Sequence, residues 1–130
     1  MKVKVTPSKV HGNVKIPASK SMAHRALICA SLSDGTSLVS NVTNSKDIEA
    51  TVGCMKALGA IIKQIDETTY EVTGTNLFKQ EGNITCNANE SGSTLRFLIP
   101  LAACTNAKVK FLGQGRLLQR PMDVLSLIHI

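Results

Sequence analysis

The stretch PASKSMAHRALICASL, residues 17–32, decides how the rest of the chain is interpreted. Its apolar residues recur at helical spacing, and a polar, glycine-containing segment follows it, so we predict a helix over residues 21–32. Lys20 and Arg25 stand at the start of this helix, although the partial positive charge of a helix N-terminus favours acidic side chains. Cations at this place raise the question of an anionic ligand.

Two interpretations of this helix start remain open. Arg25 follows Ser21 by one helical turn, and Lys20 precedes both on the same helix start. Backbone N–H groups at a helix N-terminus attract anions, and an ammonium plus a guanidinium would complete a site for a carboxylate or a phosphate. The alternative is that both bases extend from a buried helix into solvent. The local pattern favours neither.

The same order of features recurs later in the chain. Residues 89–114, NESGSTLRFLIPLAACTNAKVKFLGQ, repeat the turn, arginine, apolar helix, polar turn and strand of residues 20–42. Arg96 takes the place of Arg25, and Gly92 and Ser93 form a flexible turn, which by itself is more typical of an ordinary glycine turn than of a ligand site. The repeat favours a surface built for a multiply anionic small molecule over chance placement.

A third base stands before a further predicted helix. Arg120 precedes Pro121, and proline is common at a first helical position. Residues 126–130 then form an apolar tail without a cap, so either the natural chain continues or these residues are not native; we favour a truncated chain.

The pattern of elements predicts an α/β fold. A second helix is predicted from Asp47 to the glycine at 59, and Asp47 either caps this helix or pairs with the Lys20–Arg25 cluster. Strands are predicted over residues 2–5, 13–16, 36–42, 60–65, 69–73 and 83–87. We therefore expect one βαβαββ unit over about residues 15–80 and the start of a second over about 81–125.

The composition excludes some classes of function but does not select one. Hydrophobic residues make up 43% of the chain, which is enough for a core, and the net charge is +6. The longest apolar run, residues 97–104, is shorter than the roughly 20 residues of a membrane helix, and no signal peptide is recognisable, so we expect a cytoplasmic protein. Nucleic acid and a small anion both fit the charge, although four aromatic residues offer little base stacking.

The cysteines and His24 are interpreted as structural. The four cysteines match neither a zinc pattern nor a CxxC motif, so we expect reduced thiols, with Cys29, Cys54 and Cys104 buried on helices. His24 is read as an exposed or core histidine in preference to a proton-transfer group.

Three motifs resemble the 5-enolpyruvylshikimate-3-phosphate (EPSP) synthase family. P-x-S-K-S-x-x-x-R-A-L, from Pro17 to Leu27, resembles its N-terminal signature; residues 90–96, ESGSTLR, resemble its N-x-G-T-x-x-R stretch; and residues 119–122, QRPM, resemble its R-P-M/I segment. The motifs follow the family's order and spacing over residues 1 to about 125. The resemblance implies the enolpyruvyl transferase fold, an inside-out α/β barrel of two lobes, incomplete in this chain, with residues 1–14 packing with the second lobe.

The resemblance also implies a reaction. The enolpyruvyl group of phosphoenolpyruvate would pass to the 5-hydroxyl of shikimate-3-phosphate by addition and elimination, releasing phosphate on the route to chorismate and the aromatic amino acids. This chemistry requires no metal or organic cofactor, since it consists of proton transfer and charge neutralisation. The partners implied are these two small molecules, not nucleic acid or membrane, in a monomeric enzyme that glyphosate inhibits. The acid–base carboxylates would lie outside this chain.

Roles for individual residues follow from the same resemblance. Lys20 would be catalytic and contact both substrates, while Ser21 and Arg25 would hold shikimate-3-phosphate. Gly92 and Arg120 would bind phosphoenolpyruvate. The supporting residues would be Asp47, beside the cations, and Arg96, as a brace for the Gly92 turn.

One departure and three rival functions stand beside this interpretation. Glu90 occupies a position where many family members carry asparagine, and a carboxylate there is unfavourable for an anion unless it points away or pairs with a base. The rivals are the enolpyruvyl transferase that acts on UDP-N-acetylglucosamine, a non-catalytic anion-binding fragment, and a nucleic-acid-binding domain. Lys20-Ser21 followed by Arg25 argues against the first of them.

Overall fold

Three helices begin at serine caps. The structure, a computed structural model, describes residues 2–4, 6–9, 11–14 and 16–122. The helices are α1 (Lys20–Leu32), α2 (Lys46–Ala57) and α3 (Gly92–Ala102). Each follows a serine whose side-chain oxygen accepts a hydrogen bond from the backbone N–H three residues on, and these serines are Ser19, Ser45 and Ser91. Since serine satisfies an otherwise unpaired N–H group, the three helix starts are locally defined.

Five strands form two small sheets. The strands are β1 (Thr36–Val39), β2 (Ile61–Gln64), β3 (Tyr70–Thr73), β4 (Asn83–Asn87) and β5 (Lys108–Leu112). The first sheet is antiparallel in the order β1-β3-β2, and the second pairs β4 with β5 in parallel. Parallel neighbours need a crossover connection, which α3 supplies. Short 3-10 helices at Leu77–Lys79 and Gly115–Gln119 complete the described elements.

The core lies between the helices and the inner faces of the sheets. α1 packs on α2, α2 packs on β4, and α3 contacts both other helices. The largest fully buried apolar side chains come from all three helices, the segments between them and β3: Leu27, Val42, Ile48, Met55, Leu58, Val72 and Leu98. Burying side chains of this size contributes about 1.5–3 kcal/mol each. In the described part of the chain, no helix is long and apolar enough to cross a membrane.

Most predicted elements are present, with shifted bounds. The helices predicted from residues 21 and 47 form, and Gly59, with a φ of 100°, follows the end of α2. The strand predicted over 36–42 stops at Val39, because Asn41 adopts a φ of 58° and breaks the extended backbone. Val42 is nevertheless buried, so it belongs to the core without belonging to a strand.

The two predicted N-terminal strands are not observed among the described residues. The described residues within 2–5 and 13–16 have no strand pairing. Val3, Val14 and Ile16 are 70%, 85% and 83% exposed, so the alternating pattern has no buried face here. The helix predicted from Pro121 lies largely outside the described residues, as does the tail at 126–130, and Pro121 and Met122 themselves are not helical. The division into repeating units stays a prediction.

The prediction for the cysteines is partly wrong. All four thiols are free, and Cys54 is buried on α2 as expected. Cys29 and Cys104 are exposed instead, because Cys29 faces outward from α1 and Cys104 lies beyond the end of α3. Cys86, on β4, is the second buried thiol.

Candidate functional site

The first half of the candidate site joins the starts of α1 and α2. Lys20, the first residue of α1, donates a hydrogen bond from Nζ to Asp47 Oδ2 at 2.7 Å. Asp47 lies in the first turn of α2, whose cap is Ser45, so the alternative role of Asp47 as the cap is wrong and its predicted pairing with the cation cluster is observed for Lys20. The two side chains are 52% and 35% exposed, which leaves the ammonium accessible.

Arg25 is held by two neighbours. Its Nη1 donates to the backbone oxygen of Ser21 at 2.9 Å, and its guanidinium carbon lies 4.9 Å from the ring centroid of Phe97 on α3. A guanidinium stacked on an aromatic face gains about 0.5–1 kcal/mol at an exposed site. Arg25 is exposed, but both contacts orient its guanidinium. Its remaining N–H groups therefore keep a defined direction.

The second half lies at the start of α3. Gly92, the buried first residue of α3, is so close to Arg120 that a Cβ atom at this position would lie 2.5 Å from Arg120 Nη1. The guanidinium of Arg120 therefore lies against the first residue of α3, and glycine leaves room for it. The structure thus brings together Gly92 and Arg120, for which the family resemblance implies one ligand.

Arg96 supports the segment that carries Arg120. Its Nη2 donates to the backbone oxygen of Pro121 at 3.4 Å. This contact lies next to Arg120, whose guanidinium lies against Gly92, and the expectation that Arg96 braces the Gly92 turn stays a prediction.

A line of buried polar side chains, which the sequence did not predict, connects the two halves. His24 Nδ1 lies 2.7 Å from Thr51 Oγ1, which lies 2.7 Å from Thr94 Oγ1, which in turn lies 2.7 Å from the Oγ atom of Ser91. These residues are at most 2% exposed, so His24 is a core histidine. Burial is the main reason why the pKa of His24 is lowered; Lys20 and Arg25 also lower it, and Asp47 opposes them.

Glu90 faces a polar cavity of about 490 Å³. The lining residues are Lys46, Asp47, Glu49, Asn89, Glu90 and Gln114. The Glu90 carboxylate lies against Gly115, where a Cβ atom would overlap it, and it forms no ion pair with any residue that the structure describes. Within the same described ranges, no three His, Cys, Asp or Glu side chains are grouped so that they could hold a metal ion.

The fold and these contacts define a class of protein. The chain is an α/β protein that presents basic side chains at helix N-termini, and the first turns of α1 and α3 contain no acidic residue. N-terminal N–H groups and adjacent cations suit carboxylate and phosphate groups.

Comparisons with known proteins identify the family. The family model for EPSP synthase (3-phosphoshikimate 1-carboxyvinyltransferase) matches residues 4–127, and the chain belongs to this family. It is 52% identical over 121 residues to the 3-phosphoshikimate 1-carboxyvinyltransferase of Clostridium perfringens strain SM101, covering 93% of this chain and 28% of that protein. The protein of the same name from Clostridioides difficile strain 630 is 47% identical over 132 residues, covering 93% of this chain and 30% of that protein. The chain thus spans less than a third of the length of these curated relatives.

Solved structures agree on the fold. Two structures of EPSP synthase from Acinetobacter baumannii match with TM-scores of 0.75 and 0.78. Each match covers 89% of this chain and about a quarter of the other, 27% and 26%, at 20% sequence identity. The resemblance to this family and the predicted α/β fold are therefore confirmed. The roles assigned to individual site residues stay predictions.

Proposed function

We propose that this chain supplies part of the active site of a 3-phosphoshikimate 1-carboxyvinyltransferase. The enzyme transfers the enolpyruvyl group of phosphoenolpyruvate to the 5-hydroxyl of shikimate-3-phosphate and releases phosphate. The observation that carries this proposal is the guanidinium of Arg120 over Gly92 at the start of α3, in a chain of the EPSP synthase family. An oriented guanidinium beside helix N–H groups suits a phosphate ester.

Lys20, Ser21 and Arg25 form the proposed shikimate-3-phosphate side of the site. One of the three N–H groups of Lys20 is donated to Asp47, and two can donate to substrates. Arg25 uses one of its five N–H groups on the backbone of Ser21, which leaves a planar fork for a carboxylate. Lys20 stands closest to the chemistry in this proposal, because it would contact both substrates and lie near the attacking hydroxyl.

Gly92 and Arg120 form the proposed phosphoenolpyruvate side. Positive charge on this side neutralises the phosphate that leaves in the elimination step. Holding two anions together in reacting geometry is the main demand of this reaction, because they otherwise repel each other. Lys20, Arg25 and Arg120 meet that demand, while the acid–base carboxylates are proposed to lie outside this chain.

The partners, cellular location and oligomeric state of the enzyme are proposed together with its function. Its partners are the two small-molecule substrates, and it acts as a cytoplasmic monomer in the synthesis of chorismate. Glyphosate sensitivity depends on the Gly92 pocket, beside which Glu90 lines the neighbouring polar cavity.

Phosphate release tests the proposal. A complete enzyme that carries this segment is given both substrates, and Lys20→Met is compared with Lys56→Met, whose exposed lysine lies in the last turn of α2. We expect turnover that needs both substrates, collapses in Lys20→Met and persists in Lys56→Met. No turnover from a folded enzyme contradicts the proposal, and the acceptor UDP-N-acetylglucosamine is then tested. The 130-residue chain alone is expected to release no phosphate.

A further inference from the structure

Four buried side chains from three helices form one line of short hydrogen bonds, which we call the buried chain: His24 on α1, Thr51 on α2, and Thr94 and Ser91 at the start of α3. Each of its three links measures 2.7 Å. Because water does not reach these groups, each hydroxyl must find its partners within the protein.

The buried chain has one direction. The geometry makes Thr94 Oγ1 the donor to Ser91 Oγ, and a hydroxyl carries only one proton. Thr94 must then accept from Thr51, and Thr51 must accept from His24 Nδ1. Both threonine hydroxyls also lie 3.3 Å from the backbone oxygen of Asp47, a longer contact that takes at most a share of their protons.

This direction sets the form of the imidazole. Nδ1 carries the proton, and Nε2 carries a lone pair. His24 Nε2 is buried and has no hydrogen-bond partner among the described residues. A second proton on Nε2 would place a charged donor without an acceptor in the core, which is costly.

We propose that His24, neutral and protonated on Nδ1, is a positioning residue that fixes the Gly92 turn through Thr51, Thr94 and Ser91. Ser91 is the cap of α3, and it accepts from both the hydroxyl and the backbone N–H of Thr94. Gly92 follows Ser91 directly, and the guanidinium of Arg120 lies against Gly92. The inference rests on the proposed function, because only there does the Gly92 turn hold phosphoenolpyruvate.

The buried chain also reaches the other half of the site. The Asp47 backbone oxygen lies beside both threonines, while its side chain holds Lys20. One set of hydrogen bonds thus places the partner of Lys20 and the start of α3 relative to each other.

The form of the imidazole is measured first, on the unmodified enzyme. The protein is labelled with ¹⁵N-histidine, and the His24 signals are assigned by their loss in His24→Gln. At neutral pH we expect a protonated Nδ1 and an unprotonated Nε2. A proton on Nε2, alone or together with one on Nδ1, overturns the inference. This measurement needs no enzyme activity and therefore stays decisive if the proposed function fails.

Kinetics of a matched pair test the positioning role. Thr51→Val removes the hydroxyl at nearly constant volume, and Thr51→Ser keeps it. We expect Thr51→Val to raise KM for phosphoenolpyruvate by about threefold to tenfold, the equivalent of one hydrogen bond. Thr51→Ser should return it to within about twofold of the unmodified enzyme.

Other outcomes separate the two proposals. If Thr51→Val folds, loses stability and keeps its KM and kcat, the buried chain is structural only and the inference is wrong. If Thr51→Val does not fold, the histidine spectrum and the pair Thr94→Val and Thr94→Ser decide. If the unmodified enzyme is folded but inactive, the proposed function fails, and the affinity for phosphoenolpyruvate, measured by calorimetry, replaces KM in the comparison.

Discussion

Lys20 Nζ lies 2.7 Å from Asp47 Oδ2, so an ion pair joins the first turns of α1 and α2. The two residues are 27 positions apart in sequence. Both side chains remain about a third to a half exposed, and solvent therefore screens their attraction. The pair orients the ammonium more than it stabilises the fold.

A double-mutant cycle checks the strength of this pair. Lys20→Met, Asp47→Asn and the double variant are unfolded with urea, and the coupling between the two residues is taken from the four free energies. We expect a coupling of about 0.2–1 kcal/mol, falling as salt is added. A coupling above about 2 kcal/mol, or one insensitive to salt, contradicts the exposed geometry.

Gly92→Ala should weaken phosphoenolpyruvate binding. A Cβ atom at residue 92 would lie 2.5 Å from Arg120 Nη1, so the guanidinium must move. We expect KM for phosphoenolpyruvate to rise by about tenfold to a hundredfold. Gly53→Ala in α2 is the matched control, because its Cβ would meet nothing within 4 Å. It should leave KM unchanged and stabilise the helix by about 0.5–1 kcal/mol. An equal KM in both variants removes Gly92 from the site.

Arg25→Ala should weaken binding of shikimate-3-phosphate. Charge-assisted hydrogen bonds contribute about 1.5–3 kcal/mol, so we expect KM to rise by about tenfold to a hundredfold. Arg25→Lys keeps the charge but loses the planar contact with Phe97 at 4.9 Å, and it should recover only part of the affinity. Initial-rate kinetics measure both variants, and an unchanged KM in Arg25→Ala contradicts the assigned role.

Stability should fall as the pH is lowered through the range of His24. Burial lowers the pKa of His24 below its usual 6.5, with Lys20 and Arg25 acting in the same direction and Asp47 against them. Between that lowered pKa and 6.5, the unfolded chain binds more protons than the folded one. The contribution of neutral His24 to the free energy of unfolding is therefore fully present above pH 6.5. It is lost progressively as the pH falls from 6.5 to the lowered pKa.

Urea unfolding at several pH values measures this effect. In His24→Gln the decrease attributed to His24 should disappear, because glutamine takes up no proton. His11→Gln is the control, since His11 is exposed, and the decrease attributed to His24 should persist in this variant. The same slope in all three proteins contradicts the burial of His24.

The four thiols should react in two classes. Cys29 and Cys104 are exposed and should react at once with a thiol reagent, while Cys54 and Cys86 are buried and should react only on unfolding. The pKa of the Cys54 thiol is raised by its hydrogen bond with Cys86 and by burial, which further suppresses its thiolate. Mass spectrometry after brief labelling counts the modified cysteines. Rapid labelling of Cys54 contradicts its burial on α2.

The helices and their basic residues could be predicted from sequence because their signals are local. Serine caps, apolar spacing and the glycine at residue 59 act within one or two helical turns. Gly92 and Arg120 could be assigned to one ligand only through resemblance to a known family, since they lie 28 positions apart and the sequence between them carries no signal of their contact.

The errors arise where tertiary context decides. The alternation in residues 2–4 is typical of a strand, but Val3 is 70% exposed and has no partner strand in the described part of the chain. The buried chain was missed because Thr51 and Thr94 lie 43 residues apart and meet only when α2 packs on α3. Threonine in a helix usually faces solvent or the preceding turn, so its type gives no warning of such a contact.

Because the hydrogen bonds of the buried chain run in one direction from His24 to Ser91, they restrict which substitutions this protein can accept during evolution. An apolar residue at position 51 leaves the Nδ1–H of His24 without an acceptor in the core, and one at position 94 removes the acceptor of the Thr51 hydroxyl at 2.7 Å. An apolar residue at position 51 should therefore be accepted only together with a side chain at position 24 that carries no donor, and related genes should show positions 24 and 51 changing in step.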